Sequence, residues 1–255
     1  MTMAKANGNG QDTAPPPVLA VGLGRGGGGK STMLAELVWR AKNRGRSVIV
    51  ADGDMRSKTL STLFPDAITP ESEELPDIKK FLTTLLNRIA KEGRSAVLDL
   101  GGGDRALLEF GRDLRLVEFC ARRGIEPVAL YCLGPEPEDL SHVVTIHEGG
   151  YFKPGRILLI MNEGIIRSGQ SVAGAFDRTM NTPSFERLVA DGAKPILLTR
   201  LACMELARSV SGGFYAAASG DTENPLDPVE EFMCADWLDD LEKKRAQVGA
   251  SAWLP

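Results

Sequence analysis

Between Gly24 and Ser31 the chain reads Gly-Arg-Gly-Gly-Gly-Gly-Lys-Ser. This satisfies G-x-x-x-x-G-K-[ST], a spacing whose chemistry is the wrapping of a polyphosphate. Glycine is needed because backbone N–H groups must turn inward around phosphate oxygens through conformations that a side chain obstructs. In such a loop Gly26, Gly27, Gly28 and Gly29 supply the cradle. Lys30 reaches the β/γ-phosphates, and Ser31 and Thr32 open the following helix, with Ser31 positioned to ligate Mg²⁺. A flexible Gly-rich linker would not need Lys-Ser at this spacing. Two further groups of acids follow apolar runs: Asp52 and Asp54 after Ser47–Ala51, and Asp99 after Ala96-Val97-Leu98, leading into Gly101, Gly102 and Gly103. Carboxylates at strand ends either hold a metal or cap the next turn, and both readings are open from sequence. Asn162 closes a late apolar run and serves either as a turn residue or as a base contact.

The elements that must position these groups alternate. Val18–Leu23 is a short apolar run entering the glycines, and Ser31–Lys42 has helical composition. Further strands are expected at 47–51, 95–100, 127–133, 156–161 and 195–201. Helices are expected near 77–91, 106–123, 137–147 and 184–191, with a short one after the last strand. Strands apolar on both faces, alternating with helices, imply an α/β fold, a three-layer α/β/α sandwich with a mostly parallel central sheet. Helix 77–91 carries Ile78, Phe81, Leu82, Leu85 and Ile89 on one face. A last helix, 227–247, is acidic, with Phe232, Met233, Trp237 and Leu241 on its expected apolar side. The division expected is 1–17 as a disordered leader, 18–226 as the nucleotide-binding domain, and 227–255 as a helix and tail packed on that domain.

Composition limits the rest. Of 255 residues, 28 are glycine, and six of the eight from Gly22 to Gly29 are glycine, so the excess is local and not that of a fibrous or disordered chain. No apolar run approaches the roughly 20 residues of a membrane span. The four cysteines, Cys120, Cys132, Cys203 and Cys234, lie far apart, which indicates neither a metal site nor a disulfide framework and fits a reducing cytoplasm. The first half carries 19 basic against 16 acidic residues and the second 11 against 18, so the second half is a poor phosphate-binding surface. Arg40, Lys42, Arg44 and Arg46 form a local positive cluster that keeps nonspecific DNA among the partners considered. The acidic last helix disfavours a membrane surface. His142 and His147 read as surface or packing residues.

Taken together, Gly-Gly-x-Gly-Lys-Ser, the D-x-D of Asp52-Gly53-Asp54, an apolar strand ending in Asp99 before glycines, and Asn162 at a late strand end resemble the ParA/MinD family of deviant Walker A ATPases of the SIMIBI class, over roughly residues 18–212. Asp99-Leu-Gly-Gly-Gly-Asp104 and the stretch from Met161 to Phe185 resemble more loosely the family's plasmid partition, stability and conjugative-transfer branch. The resemblance implies a cytoplasmic, ATP-dependent molecular switch with slow Mg²⁺-dependent hydrolysis, an ATP-dependent homodimer, and a protein partner or activator. It implies that Asp54 positions the attacking water, that Asp52 supports the metal with Ser31 and Asp99, that Gly101 feels the γ-phosphate, and that Asn162 and the Arg200 region contact the base. The family's first loop lysine, which reaches a partner's phosphates, is Arg25 here, an arginine that keeps the charge and adds a planar fork of donors. Asn162 is followed by Glu163-Gly164 and not by the K-x-D of guanine recognition, so ATP is expected over GTP. Two other functions share the scaffold: an ATP-binding scaffold without turnover, and an ATP-dependent ligase resembling dethiobiotin synthetase.

Overall fold

The structure is a computed structural model that describes residues 15–101, 104–150, 152–167 and 169–255, with backbone alone at 104–106. The expected leader lies outside the described residues up to position 14, as do Gly102 and Gly103. In chain order the first half forms β1 (Val18–Leu23), α1 (Lys30–Asn43), β2 (Ile49–Asp52), α2 (Thr59–Leu63), α3 (Leu75–Glu92), β3 (Ala96–Asp99), α4 (Asp104–Leu114) and α5 (Leu116–Arg122). The second half adds β4 (Glu126–Leu133), α6 (Pro137–Glu148), β5 (Arg156–Asn162), α7 (Asp177–Met180), α8 (Pro183–Ala190), β6 (Ala193–Leu198), α9 (Met204–Ser209), α10 (Gly213–Ser219) and α11 (Pro228–Gln247).

Successive strand residues point to opposite faces, and here both faces are apolar. On β1, Leu19, Val21 and Leu23 enter one core with Phe81 and Leu85 of α3 and Val143 and Ile146 of α6. Val18 and Ala20 enter the other, with Leu34 and Leu37 of α1, Phe214 of α10 and Trp237 of α11. The sheet therefore lies between two helical layers, the expected sandwich. Its order is β2-β3-β1-β4-β5-β6, and every pairing is parallel. The chain leaves β1 toward β2 on one side and reaches β4 on the other, so the carboxyl end of β1 is the switch point where open α/β sheets hold ligands.

Three expectations are corrected by packing. The single helix near 106–123 is two helices, broken at Arg115, which has φ 55. A continuous helix would carry Leu116 about nine residues past Leu107, half a turn off its apolar face. The break returns Leu116 and Cys120 to the core that holds Leu107 and Phe110. Secondly, α2 fills the stretch after Asp54, where no helix was expected. Thirdly, the buried stripe of α11 is Cys234, Trp237, Leu238, Leu241 and Arg245, while Phe232 is 72% exposed. These buried positions follow the i, i+3, i+4, i+7 rule, and Phe232 lies on the opposite side.

The positive cluster on α1 is also altered. Arg40 is fully buried, its guanidinium donating to both Glu242 oxygens at 3.0 and 3.1 Å and to the Pro255 carbonyl at 2.6 Å. Arg44 donates to Glu242 as well, and Lys42 sits over the Phe64 ring. The tract does not present four free cations. All four cysteines are buried and unbridged, and burial pushes the thiols of Cys120, Cys132 and Cys234 up to about 12. Among the described residues no helix is long and apolar enough to cross a membrane.

Candidate functional site

The loop between β1 and α1 begins where Gly24 passes β4. Gly24 has φ 132, and a Cβ there would lie 2.4 Å from the Cys132 carbonyl oxygen, so neither the conformation nor the space admits a side chain. Gly27 and Gly29 also have positive φ, at 79° and 92°. A Cβ on Gly26 or Gly27 would meet nothing within 4 Å, because both face open space. The turn is closed by the Gly28 N–H donating to the Arg25 carbonyl at 3.2 Å. Lys30 is buried, and its ammonium donates to the Gly24 and Arg25 carbonyls at 2.9 and 3.0 Å. Positive φ at Gly24, Gly27 and Gly29 and a buried lysine at the first turn of α1 give the backbone form of an anion cradle at a helix N-terminus.

The acids meet the cradle at the sheet edge. The Ser31 hydroxyl donates to Asp99 Oδ2 at 2.5 Å, and the Gly101 N–H donates to Asp99 Oδ1 at 2.9 Å. Burial raises the Asp99 carboxyl above the usual carboxylate range, against the opposing pull of Ser31, Gly101 and Lys30, and nearby Asp52 adds to the rise. A hydroxyl and a carboxylate oxygen in contact are hard donors of the kind that Mg²⁺ takes together with phosphate oxygens and water. Ser31 and Asp99 fit that ion. Asp52 is placed differently. Its Oδ1 accepts from the Asp54 N–H at 3.1 Å and its Oδ2 from the Ser61 N–H at 2.8 Å, so it caps the turn and α2. Asp54 Oδ1 accepts from the Arg56 and Ser57 N–H groups, both at 3.1 Å, which leaves Oδ2 beside Gly101. A Cβ on Gly101 would lie 2.6 Å from that oxygen. Glycine at 101 is what allows the two loops to touch.

A cavity of about 370 Å³ opens over these groups, lined by Gly26, Gly27, Gly29, Lys30, Ser31, Thr32, Asp54, Gly101 and Asn162. Residues from four separate places in the sequence are thus brought together. Asn162 is almost fully buried and braces the loop: its Nδ2 donates to the Gly28 carbonyl at 3.1 Å and its Oδ1 accepts from the Gly164 N–H at 2.8 Å. One N–H and one lone pair of the amide remain. Arg200 does not line the cavity. Its guanidinium donates to the carbonyls of Glu163 and Ile166, tying the loop after β6 to the one after β5. Arg25 points away from the cradle to Asp139 on α6, at 3.3 Å, with its side chain half exposed.

Sequence reasoning missed the far wall of the cavity. Ser57 and Thr59 line it after the D-x-D turn, and Gly164, Ile165, Leu198, Met204, Glu205 and Arg208 line the end near Asn162. The available signal was position: Ser57 and Thr59 lie within five residues of Asp54, and α9 starts six residues after β6, at the carboxyl edge of the sheet.

No protein-family model and no curated protein matches this chain. Solved structures are similar in outline. Chloroplast FtsY from Physcomitrella patens matches at 17% identity and TM-score 0.45, over 67% of this chain and 56% of that one. The cell division protein FtsY from Thermotoga maritima matches at 14% and 0.39, over 65% and 60%. A GTPase from Pyrococcus abyssi, solved in apo form, matches at 15% and 0.38, over 71% and 90%. The chain spans less than two thirds of the length of both FtsY chains.

Proposed function

We propose that this protein is a ParA/MinD-like P-loop ATPase that works as an ATP-dependent switch, in plasmid partition, stability or conjugative transfer, and hydrolyses ATP slowly. The observation that carries the reading is the cradle itself, with glycine-only conformations at Gly24, Gly27 and Gly29 and Lys30 seated inside the loop. The amides of Gly26 to Gly29 and the N-terminus of α1 hold the β- and γ-phosphates. On binding, the Lys30 ammonium exchanges two loop carbonyls for phosphate oxygens. Ser31 and Asp99 hold Mg²⁺, which when bound neutralises charge on the β/γ oxygens. Asp54 Oδ2, the carboxylate oxygen with no hydrogen bond to the described residues, orients a water toward the γ-phosphorus; attack breaks the bond to the β,γ-bridging oxygen and yields ADP and phosphate. Gly101, against Asp54, moves as the γ-phosphate leaves. Asn162 and the α9 end of the cavity take the adenine. Glu163-Gly164 after Asn162 supports ATP over GTP.

In this reading the protein forms an ATP-dependent homodimer in which Arg25 leaves Asp139 for the partner's phosphates, and a protein activator accelerates turnover. Lys30→Ala is expected to abolish ATP binding in calorimetry. Asp54→Ala should keep binding and lose phosphate release by about 10²–10⁴-fold, the contribution of a positioned acid or base. Equal loss of binding in both variants would overturn these roles, and bound ATP that survives hours of single turnover in the unaltered protein would make the chain a scaffold. Light scattering with ADP, with ATP, and in Asp54→Ala with ATP tests the dimer.

A further inference from the structure

The three most exposed large apolar side chains among the described residues lie where α9 meets the start of α11. Leu206 is 55% exposed, Val229 66% and Phe232 72%. The beginnings of the two helices are adjacent, since the Cys203 thiol, just before α9, lies 3.7 Å from the Glu230 carbonyl oxygen. Leu206 also lines a groove of about 240 Å³ with Val210, Thr222, Glu223 and Leu226, in the approach to α11. On α11, Val229 and Phe232 continue at helical spacing into exposed Asp236 and Asp239, opposite the buried stripe.

On α9 the one cation, Arg208, is paired with Glu205, and on the α11 side the charge has one sign. Residues 221–242 hold nine acids and no lysine or arginine. Of these, Asp221, Glu223, Asp227, Glu230, Glu231, Asp236 and Asp239 make no ion pair with any described residue. An apolar strip within uncompensated carboxylates repels anionic lipid and nucleic acid and repels a second copy of itself. It suits a segment that brings apolar side chains together with cations.

We infer that the α9–α11 face is a docking site for a lysine- or arginine-rich amphipathic helix of a partner protein, anchored by Leu206, Val229 and Phe232. This surface is independent of the nucleotide reading. Its regulation rests on that reading, because the same α9 presents Met204, Glu205 and Arg208 to the cavity and Leu206 to the groove.

The test uses the full chain and three fluorescent 18-residue peptides: a Leu/Lys amphipathic helix, its Leu/Glu counterpart, and a Ser/Lys peptide of equal charge. Anisotropy is read without nucleotide, then with ATP and Mg²⁺. The Leu/Lys peptide should bind, weaken as salt rises, and lose at least tenfold in affinity to Phe232→Ser and to Leu206→Ser. Both variants should melt like the unaltered protein, since the side chains are exposed. The Leu/Glu peptide should not bind, and the Ser/Lys peptide should bind at least tenfold more weakly. Equal binding of the Leu/Lys and Ser/Lys peptides, absence of Leu/Lys binding, or variants indistinguishable from the unaltered protein would overturn the proposal. So would self-association that Phe232→Ser abolishes, which would make a second copy the occupant. Binding of the Leu/Lys peptide that ATP leaves unchanged, in a chain that calorimetry shows to bind ATP, would overturn the regulation. Failure of ATP binding itself would fall on the nucleotide reading alone.

Discussion

Asn162→Ala separates two roles for one side chain. In the structure the amide joins the Gly28 carbonyl to the Gly164 N–H, at 3.1 and 2.8 Å, and the side chain is almost fully enclosed. Alanine removes both partners and fills neither place. A buried carbonyl left unpaired costs about 1–3 kcal/mol, and the N–H of exposed Gly164, which regains water, costs about 0.5–1.5 kcal/mol. The variant should therefore lose ~1.5–4.5 kcal/mol, and for a chain of this size each kcal/mol moves the melting temperature by about 2–4 °C, so the expected fall is about 3–18 °C. Because Gly28 lies within the cradle, part of this cost appears in binding: about 1–1.4 kcal/mol of lost loop order is a five- to tenfold weaker Kd. That factor should be shared by ATP, GTP and inorganic tripolyphosphate, because the loop touches phosphate and not base. Differential scanning calorimetry and titration with the three ligands measure both quantities. An unchanged melting temperature, with weakening confined to ATP, would refute the brace and leave Asn162 as a base reader alone.

Two further predictions concern buried charge. Glu36 and Arg245 are both buried and pair bidentately, with the Tyr215 hydroxyl donating to Glu36 at 3.1 Å. Arg245→Met should cost about 3–5 kcal/mol in urea unfolding, and adding Glu36→Gln should restore a large share, since the cost is the uncompensated carboxylate. Additive losses in the double variant would show that the pair is not coupled. Asp99, whose carboxyl is raised by burial, holds a proton more tightly folded than unfolded. Its contribution is therefore most favourable below the ordinary carboxylate range near pH 4, and is lost as pH rises through the raised value. Asp99→Asn should flatten that part of the stability profile and remove the Mg²⁺ dependence of triphosphate binding; a profile unchanged from the unaltered protein would contradict the assignment.

The legible part of this molecule is the part written in local pattern. Strand runs such as Ala96–Asp99 are apolar on both faces because a parallel sheet is covered on both, and that pattern was enough to place all six strands within a few residues. The glycine loop was legible because positive φ and a carbonyl at van der Waals range exclude other residues. What sequence could not show depends on which side chains the tertiary structure brings together. Asp52 and Asp54 look alike beside a phosphate loop, yet Asp52 is occupied by the Asp54 and Ser61 amides while Asp54 keeps an oxygen toward Gly101. The break at Arg115 follows from core register, which no local propensity reports. Arg40 read as part of a surface patch because its acceptors, Glu242 and the last carbonyls, lie more than 200 residues away.

That last misreading bears on how the cradle is held. Helix α1 begins at Lys30 and carries Glu36 and Arg40 four residues apart on one buried face, about 9 and 15 Å along the axis from Lys30. Their partners Arg245 and Glu242 are three residues apart on α11, so two charge pairs fix both the distance and the rotation between the helices. An apolar contact of the same area would tolerate sliding, and the fully buried Glu36–Arg245 pair does not, because a step leaves its ions unpaired at a cost of several kcal/mol. The helix whose first turn must face phosphate is thus anchored at its far end to the helix that presents Phe232. Were phosphate binding to tilt α1, the Glu36–Arg245 and Arg40–Glu242 pairs would carry that tilt to α11. This is the physical reason to look for nucleotide dependence at the α9–α11 face before any other surface.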